Sequence, residues 1–397
     1  MTTFRESLMA SNDFIRYGDR GCPLVVPTPL ARALQWERAA REDEEDRLRA
    51  DQVAPLKPAP PPGTAIPVAP RRTRRRMGLP IFDAQLVARE IKDAAKGRRD
   101  EPVRLLQVLH DAARDDGLRP VIRPSRSTLQ RLSRDLRQGF PNFGAAIDAL
   151  LPELALQGRR RPEAFRVAPL LLHGTPGIGK TTFAAALAGY LKVDCEVISA
   201  GGTQGAFEIA GTSRHWSTTS PGRVATLLAR GRTACSVLVI DEVDKLSGDQ
   251  QHPTVPALLD LLEERSARRF RDASLEFTCD ASRLLILATA NDIERVPAPL
   301  RSRLREVAIA LPTPLERREI AAGMSARLLQ GLRPADRPVL DAEVLERLAT
   351  APIDLREVQR RLAQAVGAAV LAGRRRVGVA DLPVTTEEAR PRMGFVE

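Results

Sequence analysis

The chain has 397 residues with 61 Lys and Arg against 50 Asp and Glu, for a net charge of +11, and that length supports about two to three domains with sizeable cores. Cys22, Cys195, Cys235 and Cys279 stand too far apart for a CxxC or Cys/His zinc pattern, no run reaches the apolar length of a membrane span, and the N-terminal residues have no signal-peptide apolar region, so a cytoplasmic protein without membrane contact is expected. The positive charge is a weak argument for nucleic acid, because only six of the basic residues are Lys and the Arg and Ala excess is what a GC-rich coding sequence produces, while aromatic residues at 4% offer few base-stacking surfaces.

In chain order, residues 1–78 read as mostly disordered, with an acidic patch at 42–46 inside a short helical stretch (29–51) and a Pro-rich linker at 55–70. Apolar residues at helical spacing predict helices over 81–96 and 101–115. Ser125 starts another that runs to 138, Phe140-Pro141-Asn142-Phe143 breaks it, and a helix over 144–155 follows, which makes 79–160 a helical N-terminal region. From 161 to 312 strands and helices alternate, the pattern of a mostly parallel sheet, with strands predicted at 167–173, 195–199, 236–240, 284–289 and 306–311. Residues 313–386 are all helical (315–332, 341–349, 354–372), and 387–397 form a tail. The arginine clusters at 71–76, 159–161 and 374–376 are short and read as solvated faces.

The segment GTPGIGKTT lies between a predicted strand and a predicted helix. Its residues Gly174, Thr175, Pro176, Gly177, Ile178, Gly179, Lys180, Thr181 and Thr182 form the loop that a triphosphate needs. Glycines let backbone N–H groups converge on phosphate oxygens, the helix N-terminus adds a positive dipole end, Lys180 reaches the outer phosphates, and the Thr181 hydroxyl can hold magnesium. In SVLVIDEVDK an apolar strand delivers Asp241, a second magnesium-holding group, and Glu242, a candidate general base. Asp244 and Lys245 read as surface residues. RLLILATAND presents Asn291 at the end of another buried strand, where its amide can orient the attacking water or touch the terminal phosphate. VPAPLRSRLRE crowds Arg301, Arg303 and Arg305 together. One of them is a candidate for stabilising transition-state charge, and the others read as solvated. In IDLREVQRRL, Arg356 near a helix start can reach the nucleotide, whereas Arg360 and Arg361 read as surface residues.

Together these motifs resemble the AAA+ ATPases, and within them the ATPase module of Lon-type proteases, over about residues 140–384. The likeness extends to HWSTTSPGRVATLL, which has the length and Pro-Gly-basic ending of that family's pore-loop segment, with Trp216 as its aromatic. It extends also to Phe270, Asp272, Leu275 and Glu276, which follow the family's Phe-x-Asp-x-x-Leu-Glu pattern. The resemblance implies an α/β P-loop core with a five-stranded parallel sheet, a small all-α lid, ATP and Mg2+ as ligands, and a ring of copies of this chain, six in number. It points to Arg303 as a residue acting on the neighbouring copy, to Arg356 as the second sensor, and to Trp216 as a pore residue gripping a protein client. The sequence runs only a few residues past Asp381, so the family's Ser-Lys peptidase domain and its proteolysis are not expected. The activity expected is ATP hydrolysis driving remodelling of a protein. A nucleic-acid-associated ATPase of clamp-loader, helicase or initiator type, and a nucleotide-gated assembly scaffold, are the alternatives.

Overall fold

The computed structural model describes residues 14–17, 24–27, 78–95, 103–201, 205–213, 219–246 and 254–383. Residues 1–73 and 74–397 are separate units. In the first, Phe14–Tyr17 pairs antiparallel with Leu24–Pro27, Phe14 opposite Pro27. The sequence reading places disorder there and no strand. The helix expected over 29–51 and the tail at 387–397 lie outside the described residues.

The second unit is built on five parallel strands: β1 (Leu170–His173), β2 (Cys195–Ser199), β3 (Val237–Asp241), β4 (Leu285–Ala290) and β5 (Arg305–Ala308). Their order across the sheet is β5-β1-β4-β3-β2. The three central strands are almost wholly buried runs of Leu, Val, Ile and Ala, as expected for a sheet covered on both faces. Register aligns Leu170 with Leu287 and Leu285 with Val237, so His173, Ala290 and Asp241 end side by side. Two strand boundaries differ from the sequence reading by more than one residue. β1 starts at Leu170 because Pro169 has no N–H for the ladder, and β5 stops at Ala308, leaving Leu311 exposed at the start of the lid.

Helices α1 (Ala84–Ala95), α2 (Val103–Ala113), α3 (Arg126–Gly139) and α4 (Gly144–Gln157) precede the sheet. The sequence reading sets 79–160 apart as its own region. In the structure Phe82, Leu105, Leu136, Phe143 and Leu154 join Leu171, Phe183, Leu238 and Leu287 in one continuous apolar core. Burying each such side chain is worth roughly 1.5–3 kcal/mol. The junction also contains a buried cation. Arg119 is 3% exposed and donates to five carbonyls: Gly231 and Ala229 at 2.9 Å, Arg114 at 2.8 Å, Leu118 at 3.0 Å and Asp111 at 2.7 Å. Burial, followed by the neighbouring Arg114, lowers its pKa. Ala229 and Gly231 sit at the C-terminal end of α6 (Arg223–Arg230), where a cation complements the helix dipole.

After α5 (Lys180–Leu191) and α7 (Thr254–Leu262) in the core, the chain forms a lid of α8 (Pro314–Gln330), α9 (Ala342–Thr350) and α10 (Leu355–Leu371). The lid has its own cores, with Ala321, Val344, Leu348, Val358 and Leu362 in one and Ala365, Val366, Ala369 and Val377 in the other. A capping box of Thr313 and Glu316 starts α8. From α8, Arg317 donates to the carbonyls of Ala349 and Ala351 (2.9 Å each) and Ile353 (2.7 Å), which fixes where α10 begins. Among the described residues no helix is long and apolar enough to cross a membrane, and no cluster of three or more His, Cys, Asp or Glu suits a metal on its own.

Candidate nucleotide site

Because β1, β4 and β3 are neighbours, the three motif-bearing loops that follow them converge at the C-terminal end of the sheet. The loop after β1 depends on its glycines. Gly174 has φ +154°, and a Cβ there would lie 2.4 Å from the Ile309 carbonyl oxygen; Gly177 has φ +79° and would meet the Asp354 carboxylate at 2.8 Å. Only glycine fits either position. Asp354 caps α10 by accepting from the Glu357 N–H at 2.7 Å, so the loop and the lid helix carrying Arg356 touch directly.

Lys180 opens α5 and is 7% exposed. Its ammonium donates to the carbonyls of Gly174 (2.7 Å) and Thr175 (3.0 Å) and to Asn291 Oδ1 (2.9 Å). Burial lowers its pKa, opposed by the charges of Asp241 and Asp244. The next residue, Thr181, donates its hydroxyl to Asp241 Oδ1 at 3.0 Å, and Thr289 on β4 donates to the same oxygen. The Thr181 hydroxyl and Asp241 carboxylate form a hard-oxygen pair of the type that Mg2+ takes while keeping several waters, so these residues fit that ion. Glu242 follows with φ +60°, a left-handed conformation that costs a non-glycine residue of order 1 kcal/mol or more. Its N–H donates to Thr289 Oγ1 at 3.1 Å, and its carboxylate accepts from Lys245 at 2.7 Å.

Asp244 is not the surface residue read from the sequence. Its Oδ2 accepts from the N–H groups of Asn291 (3.0 Å) and Asp292 (3.1 Å), tying the loop after β3 to the loop after β4, and its Oδ1 is buried without a partner. Arg361 also departs from its surface reading. With Arg360 it donates to Glu357, at 2.7 and 2.6 Å, and these bonds hold that carboxyl down at about 2.

These residues line a cleft of about 730 Å³ between core and lid. Gly177, Lys180, Thr181, Asp241, Glu242 and Asn291 supply its polar wall, with Arg356 opposite. Ile320, Met324 and Leu362 of the lid add apolar lining, and Gly139, Phe140 and Asn142 complete it. The last three went unrecognised in the sequence, where Phe140 to Phe143 reads only as a helix break. Phe140 and Phe143 pack on Phe183 of α5, at ring-centroid distances of 5.5 and 4.6 Å, which brings that break to the cleft.

Arg303 does not line this cleft. It is exposed, and its guanidinium donates to the Pro299 carbonyl at 3.0 Å. Arg301 pairs with Glu306 (3.0 Å) and Glu294 (3.4 Å), and Arg305 with Glu153 (3.2 Å), so Arg303 alone of the three has no carboxylate partner among the described residues. Trp216 lies outside the described residues. The stem of its loop is described: the Thr212 N–H bonds the Ser220 carbonyl at 2.9 Å, and the buried Asp272 carboxylate accepts from Gly222 N–H at 2.7 Å and from Ser274 N–H at 2.9 Å. Burial raises the pKa of Asp272.

Residues 170–311 match the family model described as ATPase family associated with various cellular activities (AAA). The chain is 32% identical over 176 residues to the Lon protease of Helicobacter pylori strain 26695, covering 44% of this chain and 21% of that protein. It is 36% identical over 148 residues to the Lon protease of Campylobacter jejuni, covering 37% and 19%. With Lon protease 1 of Bacillus subtilis strain 168 it is 30% identical over 243 residues, covering 59% and 31%. The chain thus spans less than a third of the length of these curated relatives.

Proposed function

We propose that this chain, whose residues 170–311 are an AAA ATPase domain similar to that of Lon proteases, hydrolyses ATP in a ring of six copies and uses the energy to remodel a protein client. The observation that carries this reading is the convergence of Lys180, Thr181, Asp241, Glu242 and Asn291 at the ends of three adjacent strands, facing Arg356 of the lid. In this reading the glycine loop and the ammonium of Lys180 hold the triphosphate. Lys180 exchanges bonds to its own loop carbonyls for phosphate oxygens. Thr181 and Asp241 would hold Mg2+, which when bound neutralises charge on the outer phosphates. Glu242 takes a proton from the attacking water, and Asn291, anchored on Lys180, keeps that water or the terminal phosphate in line. The apolar side chains that the lid contributes to the cleft take the base. Arg356 moves with the lid and reports nucleotide state, while Arg303 serves the site of the adjacent copy.

Asp244 acts as a positioning residue here, since it holds the Asn291 backbone. Asp244→Ala should lower kcat by about 10- to 100-fold and change KM for ATP by less than about threefold. Steady-state kinetics read the split, and equal losses in kcat and affinity would assign it to nucleotide binding instead. The remodelling role is tested with the full chain, ATP, Mg2+ and a folded fluorescent reporter carrying an unstructured tail. Phosphate release and ATP-dependent loss of reporter fluorescence are expected together. Trp216→Ala should keep phosphate release within about twofold and abolish unfolding. Phosphate release without unfolding by the unaltered chain would restrict the activity to ATP hydrolysis, and joint loss of both in the variant would remove the gripping role.

A further inference from the structure

The second large depression, about 760 Å³, lies between the first turns of α3 and the last turns of α4 and shares no lining residue with the nucleotide cleft. Its floor includes Leu129, Leu151 and Pro152, and Arg123, Arg126 and Arg159 line its rim. No acidic side chain lines it. All three arginines are exposed, and none has a carboxylate partner among the described residues. Arg160 and Arg161 follow Arg159 in the chain and are also exposed, without a carboxylate partner among the described residues. The walls meet closely at one end, where a Cβ on Gly158 would stand 3.0 Å from the Pro124 carbonyl oxygen. By contrast, Arg137 and Arg305, elsewhere on the same surface, are neutralised by Asp148 and Glu153.

We propose that this groove docks an acidic amphipathic segment of a partner protein, whose leucine-type side chains cover the Leu129–Leu151 floor while its carboxylates meet the arginine rim. Three cations left unpaired around an apolar floor make a surface complementary to that chemistry. A nucleic-acid strand fits less well, since the floor offers no aromatic side chain for base stacking. The proposal is independent of ATP hydrolysis.

The test uses the full chain and a fluorescein-labelled peptide of about 15 residues with Leu at i, i+3, i+4 and i+7 and Glu or Asp between, followed by fluorescence anisotropy at about 50 mM salt. Saturable binding is expected, weakened at least about tenfold by Arg123→Glu with Arg159→Glu and by a peptide of the same composition with its leucines scattered. Leu129→Asp is the second variant and should weaken binding without reversing any arginine. Absence of saturable binding would overturn the proposal, as would equal binding of the scattered peptide. It would likewise fall if an oligonucleotide of the same charge bound the groove more tightly than the peptide, or if the arginine variants changed only the assembly of the chain in sedimentation.

Discussion

Glu242→Gln should lower ATP turnover by about 10³-fold while leaving ATP affinity within about threefold. The substitution keeps the side chain's size and removes its basicity. The supports of this residue come from the backbone and are untouched by it: the N–H of Glu242 is held by Thr289, and Asp241, beside it, keeps its bonds from Thr181 and Thr289. The left-handed backbone at Glu242 turns the chain sharply as it leaves β3, a strained conformation of the kind that clusters at reactive sites. One bond is lost in part, because Lys245 then faces a neutral amide oxygen instead of a carboxylate. That pair is solvent-exposed and its contribution to stability is small. Single-turnover phosphate release reads the rate, and a fluorescent ATP analogue reads the affinity. Turnover within tenfold of the unaltered chain would disqualify Glu242 as the base.

The sheet is legible in the sequence because its central strands are short apolar runs that lead into polar residues, as VLVI leads into Asp241 and LILATA into Asn291. The boundaries shift where apolarity does not mean burial in a strand. Leu311 is apolar but 64% exposed, and the residues before Leu170 are interrupted by Pro169. The motif loops are legible because glycine, Lys and carboxylate at fixed spacing have few other uses. What escapes is whatever depends on a partner distant in sequence. Asp244 looks like a surface carboxylate until the strand order puts β3 beside β4 and its oxygen beside the Asn291 N–H. Asn142 reaches the cleft because Phe140 and Phe143 pack, edge-on and stacked respectively, on a helix some forty residues on, a contact without periodicity. Arg119 reads as one charge among many, and its five carbonyl partners come from two stretches of chain, 111–118 and 229–231, more than a hundred residues apart. The two-residue strand pairs, such as Leu79–Pro80 with Leu118–Arg119, are too short to carry an alternating pattern.

Arg303→Ala should reduce turnover by about 10³-fold, and the loss should be repairable by a second inactive variant. The argument rests on placement. Arg303 projects from the turn before β5, exposed and without a carboxylate partner, and it is absent from the lining of its own cleft. In the proposed ring, a guanidinium so placed would reach a neighbouring copy's cleft and stabilise charge there. Lys180→Ala removes the phosphate-binding ammonium and keeps Arg303, whereas Arg303→Ala keeps the cleft and removes the guanidinium. Each alone is inactive. In rings assembled at random from equal amounts, roughly a quarter of the contacts place an intact cleft against an intact Arg303, so the mixture should regain roughly a quarter of full turnover. An arginine serving its own cleft predicts no recovery, because every intact cleft then lacks its guanidinium. Phosphate release from the mixture, measured after disassembly and reassembly of the two variants together, separates the cases. A mixture as inactive as its parents would remove Arg303 from the shared site and leave the cleft to work within one copy.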